Sequence, residues 1–262
     1  MNRFDRLARL VGPQQIKVLA ASRIAIIGIG GVGSWAAEAL ARSGTGALLL
    51  MDFDKVCVKN FNRQLAALTQ TMGQNKAAVM AARCREINPE AEIIPVTDFF
   101  ETATAERVLD FRPDFVIDAI DHVTSKCLLL AMCRDKGIGV VCSTGAGGRL
   151  DPTRIKTADL ARTEVDPLAK ALRRILREKH GFPAKGPFGI MAVYSDEQPS
   201  EPFDTRTLDP ECLQCPDRHN EHQSCDKRGR VMGTASFVTG AFGLACASIA
   251  ARHVSGSPFR SP

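Results

Sequence analysis

The chain has 262 residues, of which 45% are hydrophobic and 24% are charged, and its net charge is +5. This composition is typical of a soluble globular protein, and the mild positive charge permits an anionic partner such as RNA or ATP without requiring one. The nine cysteines are scattered and several lie inside apolar runs, which excludes a secreted disulfide framework and predicts a reducing, cytoplasmic location.

The N-terminal stretch does not resemble a secretory signal. Charged residues interrupt it repeatedly, at Arg3, Asp5, Arg6, Arg9 and Lys17, so an unbroken apolar core is missing. The pattern over residues 3–20 predicts a short amphipathic helix. We therefore expect residues 1–22 to form a helical lead-in to a domain that begins at Arg23.

Five short apolar runs bounded by Gly, Pro or Asp are typical of buried parallel strands. They are Arg23–Gly28, Ala47–Asp52, Glu92–Val96, Phe115–Asp118 and Val140–Thr144. Helical patterns lie between them, at Gly33–Ser43, Asn75–Asn88, Thr104–Phe111 and Thr124–Lys136. The alternation predicts an α/β fold with a Rossmann-like, mostly parallel sheet and helices on both faces. Ligands of such folds bind where the strands end.

The regular alternation stops near residue 151. Arg154–Thr157 and Ile190–Tyr194 are candidates for antiparallel additions, and Pro167–Lys179 has a helical pattern. Residues 195–230 are rich in Pro, Asp, Glu and Cys, which predicts a mobile loop. We expect a single domain over residues 23–254, followed by a disordered tail at residues 255–262.

Val231–Val254 carries no charge before Arg252 and is long enough to span a bilayer. It is rich in Gly, Ala, Ser and Thr rather than Leu and Ile. That composition favours a tightly packed helix in the core or at a dimer interface over a membrane span.

The strongest local motif begins at Gly28 and continues through Gly30, Gly31 and Gly33. It follows a strand and opens a helix, so its backbone can turn sharply and offer free N–H groups to a phosphate. Asp52 ends the second strand, where an acid commonly accepts hydrogen bonds from a ribose. These features predict a nucleotide site, with NAD and ATP both open at this point.

Polar residues after the second strand favour ATP over NAD. Asp54 follows Asp52, and the segments Asn60–Gln64 and Gly73–Lys76 contribute Arg63 and Lys76 at the ligand edge. A triphosphate that reacts at its α-phosphorus needs cations to stabilise the growing charge. Lys76 also opens a helix, where a cation is unfavourable to the helix dipole, and this suggests a functional cause.

The combined pattern GxGGxGS, DxD, NxxRQ, GxxK and DxxDxxxxK resembles that of the ThiF/MoeB and ubiquitin-activating family over residues 24–126. The resemblance implies an adenylating enzyme that uses ATP and Mg²⁺. It assigns the nucleotide contacts to the glycine loop and to a set of polar residues, namely Asp52, Asp54, Asn60, Arg63, Gln64 and Lys76. It also implies that Asp121 holds Mg²⁺ beside the phosphates.

The same resemblance implies a homodimer. Family members have an N-terminal arginine that reaches the ATP of the neighbouring subunit, and Arg6 occupies the matching position. Leu7 stands where the family has Gln, so the match at this element is incomplete.

Motifs of the second half are similar to the branch of this family that acts on N6-threonylcarbamoyladenosine beside the tRNA anticodon. They are Gly145–Gly148, Asp151–Thr153, Asp166–Ala169, Tyr194–Glu197 and Phe237–Gly243. This likeness implies ATP-dependent cyclising dehydration of the modified base, with tRNA as the substrate. It also raises a cysteine desulfurase as a sulfur-relay partner. Two alternatives stay open: adenylation of a sulfur-carrier protein in thiamine or molybdopterin synthesis, and an NAD-binding oxidoreductase or non-catalytic scaffold.

One CxxC pair, Cys212 and Cys215, is followed by His219, His222 and Cys225. Four N or S ligands are sufficient for structural zinc, so Cys212, Cys215 and Cys225 are candidate Zn²⁺ ligands. MoeB-like relatives carry two such pairs, however, and a loop with free thiols is the alternative.

Four cations recur at helical spacing in the second half, at Lys170, Arg173, Arg174 and Arg177, while Ala169, Leu172 and Leu176 occupy the opposite face. A surface that contacts tRNA phosphates and a solvated amphipathic helix both fit this pattern.

Overall fold

The computed structural model describes residues 3–203 and 232–256. Its helices are α1 (Asp5–Val11), α2 (Pro13–Ala21), α3 (Gly33–Arg42), α4 (Lys76–Ile87), α5 (Ala105–Asp110), α6 (Val123–Lys136), α7 (Pro167–Lys179) and α8 (Ser236–Ser255). Its strands are β1 (Arg23–Ile27), β2 (Ala47–Met51), β3 (Glu92–Val96), β4 (Phe115–Asp118), β5 (Gly139–Ser143), β6 (Ile155–Asp159) and β7 (Met191–Ser195).

These strands form a seven-stranded sheet in the order β3-β2-β1-β4-β5-β7-β6. All neighbours from β3 to β7 pair in parallel, and β6 alone runs antiparallel, against β7. The predicted Rossmann-like α/β fold is therefore confirmed. The two expected C-terminal strands are antiparallel to each other, but β7 is parallel to β5 because the chain crosses over through β6 and α7 before returning.

Continuous apolar sequence in the central strands is explained by burial on both faces of the sheet. On one face, Ile24 and Ile26 of β1 pack into a core with α3, α4 and α8. On the other face, Ala25 and Ile27 pack into a core with α5, α6 and α7. Successive residues of a strand point to opposite faces, so a strand covered on both sides needs apolar residues at every position.

The lead-in consists of two helices rather than the single predicted helix. Gly12 and Pro13 separate α1 from α2, because proline is accepted at the first position of a helix but not in its interior. Phe4 lies against Gly44, just before β2, so α1 sits near the edge of the sheet where the strands begin. The ligand edge is at the opposite ends of the strands.

Among the described residues, α8 has the length and composition of a membrane span, but it packs as a helix of the core. A Cβ on Gly243 would lie 2.3 Å from the carbonyl oxygen of Val32, so the absence of a side chain lets α8 approach α3 closely. Phe237 and Leu244, seven residues apart, are 55% and 50% exposed and mark an outward face. The prediction that this segment is a packed helix rather than a membrane span is therefore confirmed for residues 236–254.

Candidate active site

A cavity of about 640 Å³ lies where β1, β2, β4 and β5 end, within the usual range for small-molecule sites. Most predicted nucleotide-binding residues line it together. They are Gly28, Gly30, Gly31, Asp52, Asp54, Asn60, Arg63, Gln64, Lys76 and Asp121. The structure therefore brings residues from three strand-to-helix connections, which follow β1, β2 and β4, into one site.

Two predicted residues, Gly33 and Arg6, are not among those that line the cavity. Gly33 packs directly against the backbone of the glycine turn, because a Cβ there would lie 1.8 Å from the carbonyl oxygen of Gly28. Arg6 is exposed on α1, near the edge of the sheet where the strands begin. The cavity of the same chain lies at the other edge, where the strands end.

Asp52 is 9% exposed and organises the floor of the cavity. One carboxylate oxygen accepts a hydrogen bond from the Ile29 amide at 2.6 Å, and the other accepts one from the Asp54 amide at 2.8 Å. Burial raises the pKa of Asp52 to about 6, although the nearby Lys76 ammonium acts in the opposite direction. This carboxyl therefore titrates closer to neutrality than an ordinary aspartate.

Lys76 is 4% exposed, and its ammonium lies 2.7 Å from a carboxylate oxygen of Asp54. Burial opposes its charge, but Asp52 and Asp54 outweigh burial, so the pKa of Lys76 is raised. The Asn75 side chain caps α4 by accepting a hydrogen bond from the Ala78 amide at 3.2 Å. Two carboxylates thus compensate for a cation at the start of this helix.

A compact turn presents Arg63 and Gln64 to the cavity. The side-chain oxygen of Asn60 accepts a hydrogen bond from the Cys57 amide at 3.0 Å, and the Asn60 carbonyl accepts from the amides of Arg63 and Gln64. The Arg63 guanidinium donates to the Lys59 carbonyl at 2.8 Å. Asn60 therefore shapes the turn, while Arg63 and Gln64 supply cavity-facing polar groups.

Asp121 is exposed on the loop between β4 and α6 and contributes to the negative potential around Lys76. His122 caps α6, with its ring Nδ1 accepting from the Ser125 amide at 3.3 Å. The His122 ring also packs edge-on against Phe99, with centroids 5.5 Å apart. Both rings line the cavity. The sequence signal that could have identified them as site residues is their position just after the predicted strands β3 and β4.

The residues that line the remaining part of the cavity, beyond the end of β5, are not among the predicted site residues. The wall of this part is the loop Thr144–Arg149 together with Asp166 and Pro167 at the start of α7. Asp166 accepts hydrogen bonds from the Gly145 amide at 3.1 Å and from the Arg149 guanidinium at 2.9 Å, and it also caps α7 through the Ala169 amide. One buried carboxylate thereby joins the loop after β5 to this helix.

A groove of about 610 Å³ runs along α7. It is lined by four basic residues, Lys170, Arg173, Arg174 and Arg177, and Pro167 lines both this groove and the main cavity. Ala169, Leu172 and Leu176 are buried on the inner face, as the helical spacing predicts. The basic surface and the cavity therefore adjoin at Pro167.

Six cysteines fall within the described residues, and all of them are buried. Burial raises the pKa of Cys84, Cys133 and Cys246 to about 12, so their thiols stay protonated and unreactive. The candidate zinc ligands Cys212, Cys215 and Cys225 lie outside the described residues. The described ranges 3–203 and 232–256 contain no group of three His, Cys, Asp or Glu arranged to hold a metal.

The sequence profile of the ThiF family matches residues 4–261. This chain belongs to the ThiF family. Within it, the chain is similar to tRNA threonylcarbamoyladenosine dehydratase of Escherichia coli, at 41% identity over 254 residues, which are 96% of this chain and 93% of the relative. The predicted family resemblance is thus confirmed.

A solved structure gives the same result. The crystal structure of Escherichia coli tRNA N6-threonylcarbamoyladenosine dehydratase in complex with ATP has a TM-score of 0.84 and 40% identity, covering 97% of this chain and 94% of that chain. By contrast, the similarity to molybdopterin-synthase adenylyltransferase of Escherichia coli, at 33% identity, covers only 52% of this chain. The similarity to the dehydratase therefore extends over nearly the whole chain, whereas the similarity to the adenylyltransferase extends over about half of it.

Proposed function

We propose that this chain is an ATP-dependent dehydratase that cyclises N6-threonylcarbamoyladenosine in tRNA. The observation that carries the proposal is that the cavity at the ends of the strands adjoins the basic groove of α7 at Pro167. A nucleotide and a modified base of a docked RNA can then meet at one place. The similarity to the dehydratase over 96% of the chain supports the same reaction.

The proposed chemistry has two steps. A carboxylate oxygen of the threonyl group attacks the α-phosphorus of ATP, and pyrophosphate leaves to give an acyl adenylate. The substrate's own carbamoyl group then attacks the activated carbonyl carbon, and AMP departs with the original carboxylate oxygen while one proton is released. Because the nucleophile is already attached, proximity and electrostatic stabilisation are sufficient, and no protein nucleophile is needed. The buried, protonated thiols of Cys84, Cys133 and Cys246 agree with this mechanism.

In this mechanism Asp52 accepts hydrogen bonds from the ribose, and the glycine turn from Gly28 to Gly31 holds the phosphates through backbone amides. Arg63 and Lys76 stabilise the charge that develops at the α-phosphate. A dinucleotide would not require these two cations, whereas a reacting triphosphate does.

Mg²⁺ is implied by the family resemblance, and the donor set fits it. Mg²⁺ is commonly held by one or two carboxylates together with substrate phosphates, and Asp121 is an exposed carboxylate that lines the cavity. Asp121 would hold the ion, which would neutralise the phosphates. Asp54 lies close by but is paired with Lys76.

We further propose that the basic face of α7 contacts tRNA phosphates. Lys170 and Arg174 are exposed, and the groove in which they lie leads to Pro167 at the mouth of the cavity. Phosphate contacts position an RNA without reading its sequence, so this face would orient the modified base toward the ATP. A tRNA substrate also agrees with a cytoplasmic location.

The working unit is proposed to be a homodimer with Arg6 acting on the partner's ATP. In its own chain Arg6 lies near the opposite edge of the sheet, and the outward face of α8 carries Phe237 and Leu244. Subunits that carry Arg6→Ala, mixed with subunits that carry Lys76→Ala, should regain part of the activity that each variant loses alone, because each heterodimer has one complete site. An active monomer in sedimentation, or verified heterodimers without activity, would refute this arrangement.

The reaction itself is tested with purified protein, Mg²⁺-ATP and tRNA that carries N6-threonylcarbamoyladenosine. Mass spectrometry of the digested tRNA should show loss of one water from the modified nucleoside, with formation of AMP and pyrophosphate. Protein with NAD in place of ATP is the control. Unchanged tRNA, together with AMP formation on a sulfur-carrier protein, would favour the alternative branch.

A further inference from the structure

Lys126 has a fully enclosed ammonium beside the loop that carries Asp121. Its side chain and that of Asp118 are both 0% exposed, and the ammonium lies 2.9 Å from a carboxylate oxygen of Asp118. The same ammonium donates a hydrogen bond to the Ile120 carbonyl at 2.9 Å. Lys126 therefore binds both the end of β4 and the loop that follows it.

This position is costly for a cation. Lys126 lies in the first turn of α6, where the helix dipole disfavours positive charge, and it is surrounded by apolar side chains and the buried Cys142 and Cys246. A buried ion pair commonly adds no stability over an apolar pair of similar volume. Stability alone is thus a weak explanation for this lysine.

The hydrogen bonds around Asp121 give a better explanation. The Lys126 ammonium binds the carbonyl of Ile120, and the Lys126 backbone amide binds the carbonyl of His122 at 3.0 Å. These two carbonyls belong to the residues on either side of Asp121. Asp118 adds a further restraint, because its second carboxylate oxygen accepts a hydrogen bond from the Ile120 amide at 3.2 Å. Asp121 is therefore held by its backbone neighbours while its own side chain extends into the cavity.

We propose that Lys126 is the positioning residue for Asp121, fixing the loop so that the carboxylate meets the phosphates in a single geometry. This inference rests on the role proposed above for Asp121. Misplacement of a catalytic group by about 1 Å can lower the rate by about a hundredfold, so a residue that never contacts substrate can govern turnover.

The test separates positioning from stability with matched variants. Lys126→Met removes the ammonium and leaves the Asp118 carboxylate buried alone, so it loses both stability and turnover. The double variant of Asp118→Asn with Lys126→Met removes both buried charges and keeps an acceptor for the Ile120 amide. We expect the double variant to recover most of the thermal stability, while its kcat stays roughly ten- to a hundredfold below wild type.

Glu38→Gln is the control for destabilisation without effect on the loop. Glu38 is 8% exposed and forms an ion pair with Arg83 at 2.6 Å, between α3 and α4 and outside the cavity lining. Glu38→Gln should lower the melting temperature and leave kcat per folded molecule unchanged. Amide hydrogen exchange at residues 119–122, measured without nucleotide, should accelerate in both Lys126 variants and stay slow in Glu38→Gln.

Recovery of both stability and kcat in the double variant would overturn the inference, as would unchanged amide exchange at residues 119–122. In an Asp121→Ala background, Lys126→Met should lower kcat by less than about twofold further, because the effects of substitutions at residues that act through one another are not additive. If Asp121→Ala itself retains full activity, the proposed role of Asp121 fails. If only the Lys126 variants retain activity, the positioning inference alone fails.

Discussion

Two lysine–aspartate pairs in this molecule have buried lysines and the same chemistry, but their surroundings differ. Lys76 pairs with Asp54 at 2.7 Å, and Lys126 pairs with Asp118 at 2.9 Å. In each case the lysine lies in the first turn of a helix and the acid lies at or just after the end of a strand. The first pair lines the cavity, whereas the second is enclosed on all sides.

The difference shows that access, rather than residue type, separates a candidate substrate contact from a structural one. The side chain of Asp54 is 22% exposed, so Lys76 can exchange part of its carboxylate contact for a phosphate that enters the cavity. Lys126 and Asp118 have no such exchange available, because their side chains are 0% exposed. We therefore expect Lys76 to govern ATP affinity and rate, and Lys126 to govern loop geometry and stability.

The largest effect is expected at Asp121, whose charge acts on Lys76 and whose neighbour Ile120 accepts a hydrogen bond from Lys126. Asp121→Ala should lower AMP formation by about a hundredfold or more, the scale for losing a preorganised electrostatic contact in the transition state. Asp121 is exposed, so the melting temperature should change little. Rapid-quench measurement of AMP provides the check, and near wild-type turnover would remove Asp121 from the mechanism.

Replacement of the cavity-lining lysine is expected to have the next largest effect. Lys76→Met should lower AMP formation by about tenfold to a hundredfold and weaken ATP binding, because the phosphates lose a charge-assisted contact. Calorimetric titration of Lys76→Met and Lys126→Met with Mg²⁺-ATP compares their ATP affinities, and thermal unfolding compares their melting temperatures. We expect the larger loss of ATP affinity in Lys76→Met and the larger loss of melting temperature in Lys126→Met; the reverse order would contradict the different roles of the two pairs.

A smaller effect is expected from pH, through Asp52. Its pKa is raised to about 6 by burial, and the ionised carboxylate is the form that accepts hydrogen bonds from a ribose. As pH falls from 7 to 5, ATP affinity should therefore fall by about tenfold, following the ionised fraction. Asp52→Asn should bind more weakly at pH 7 and lack this pH dependence. A wild-type affinity that stays constant over this range would show that Asp52 is not titrating in contact with the nucleotide.

The sequence predicts the central sheet closely because strands buried on both faces must be apolar throughout. Glu92–Val96 and Phe115–Asp118 are predicted with the observed ends. The runs predicted for β1 and β2 are one residue too long at their C-terminal ends, and the run predicted for β5 is shifted by one residue. The direction of β7 in the sheet cannot be predicted from its own residues, because it depends on where the chain rejoins the sheet after α7. The break between α1 and α2 was readable from Gly12 and Pro13.

For the site, the loops that bear glycine, acid and cation motifs could be predicted, because each follows a strand at the ligand edge. The pairing of Asp54 with Lys76, and the enclosure of Lys126, could not be predicted. Both depend on how α4 and α6 pack onto the strands. Asp166 illustrates the same limit, because its partners Gly145 and Arg149 are 21 and 17 residues away in the chain.

Activation of the substrate carboxylate at the α-phosphorus of ATP can be followed with tRNA whose threonyl carboxylate carries a heavy-oxygen label. After one turnover, mass spectrometry should find one labelled oxygen in the phosphate of AMP and none in pyrophosphate. Label in inorganic phosphate or pyrophosphate, or a cyclised nucleoside formed without label transfer to AMP, would contradict adenylation by this site.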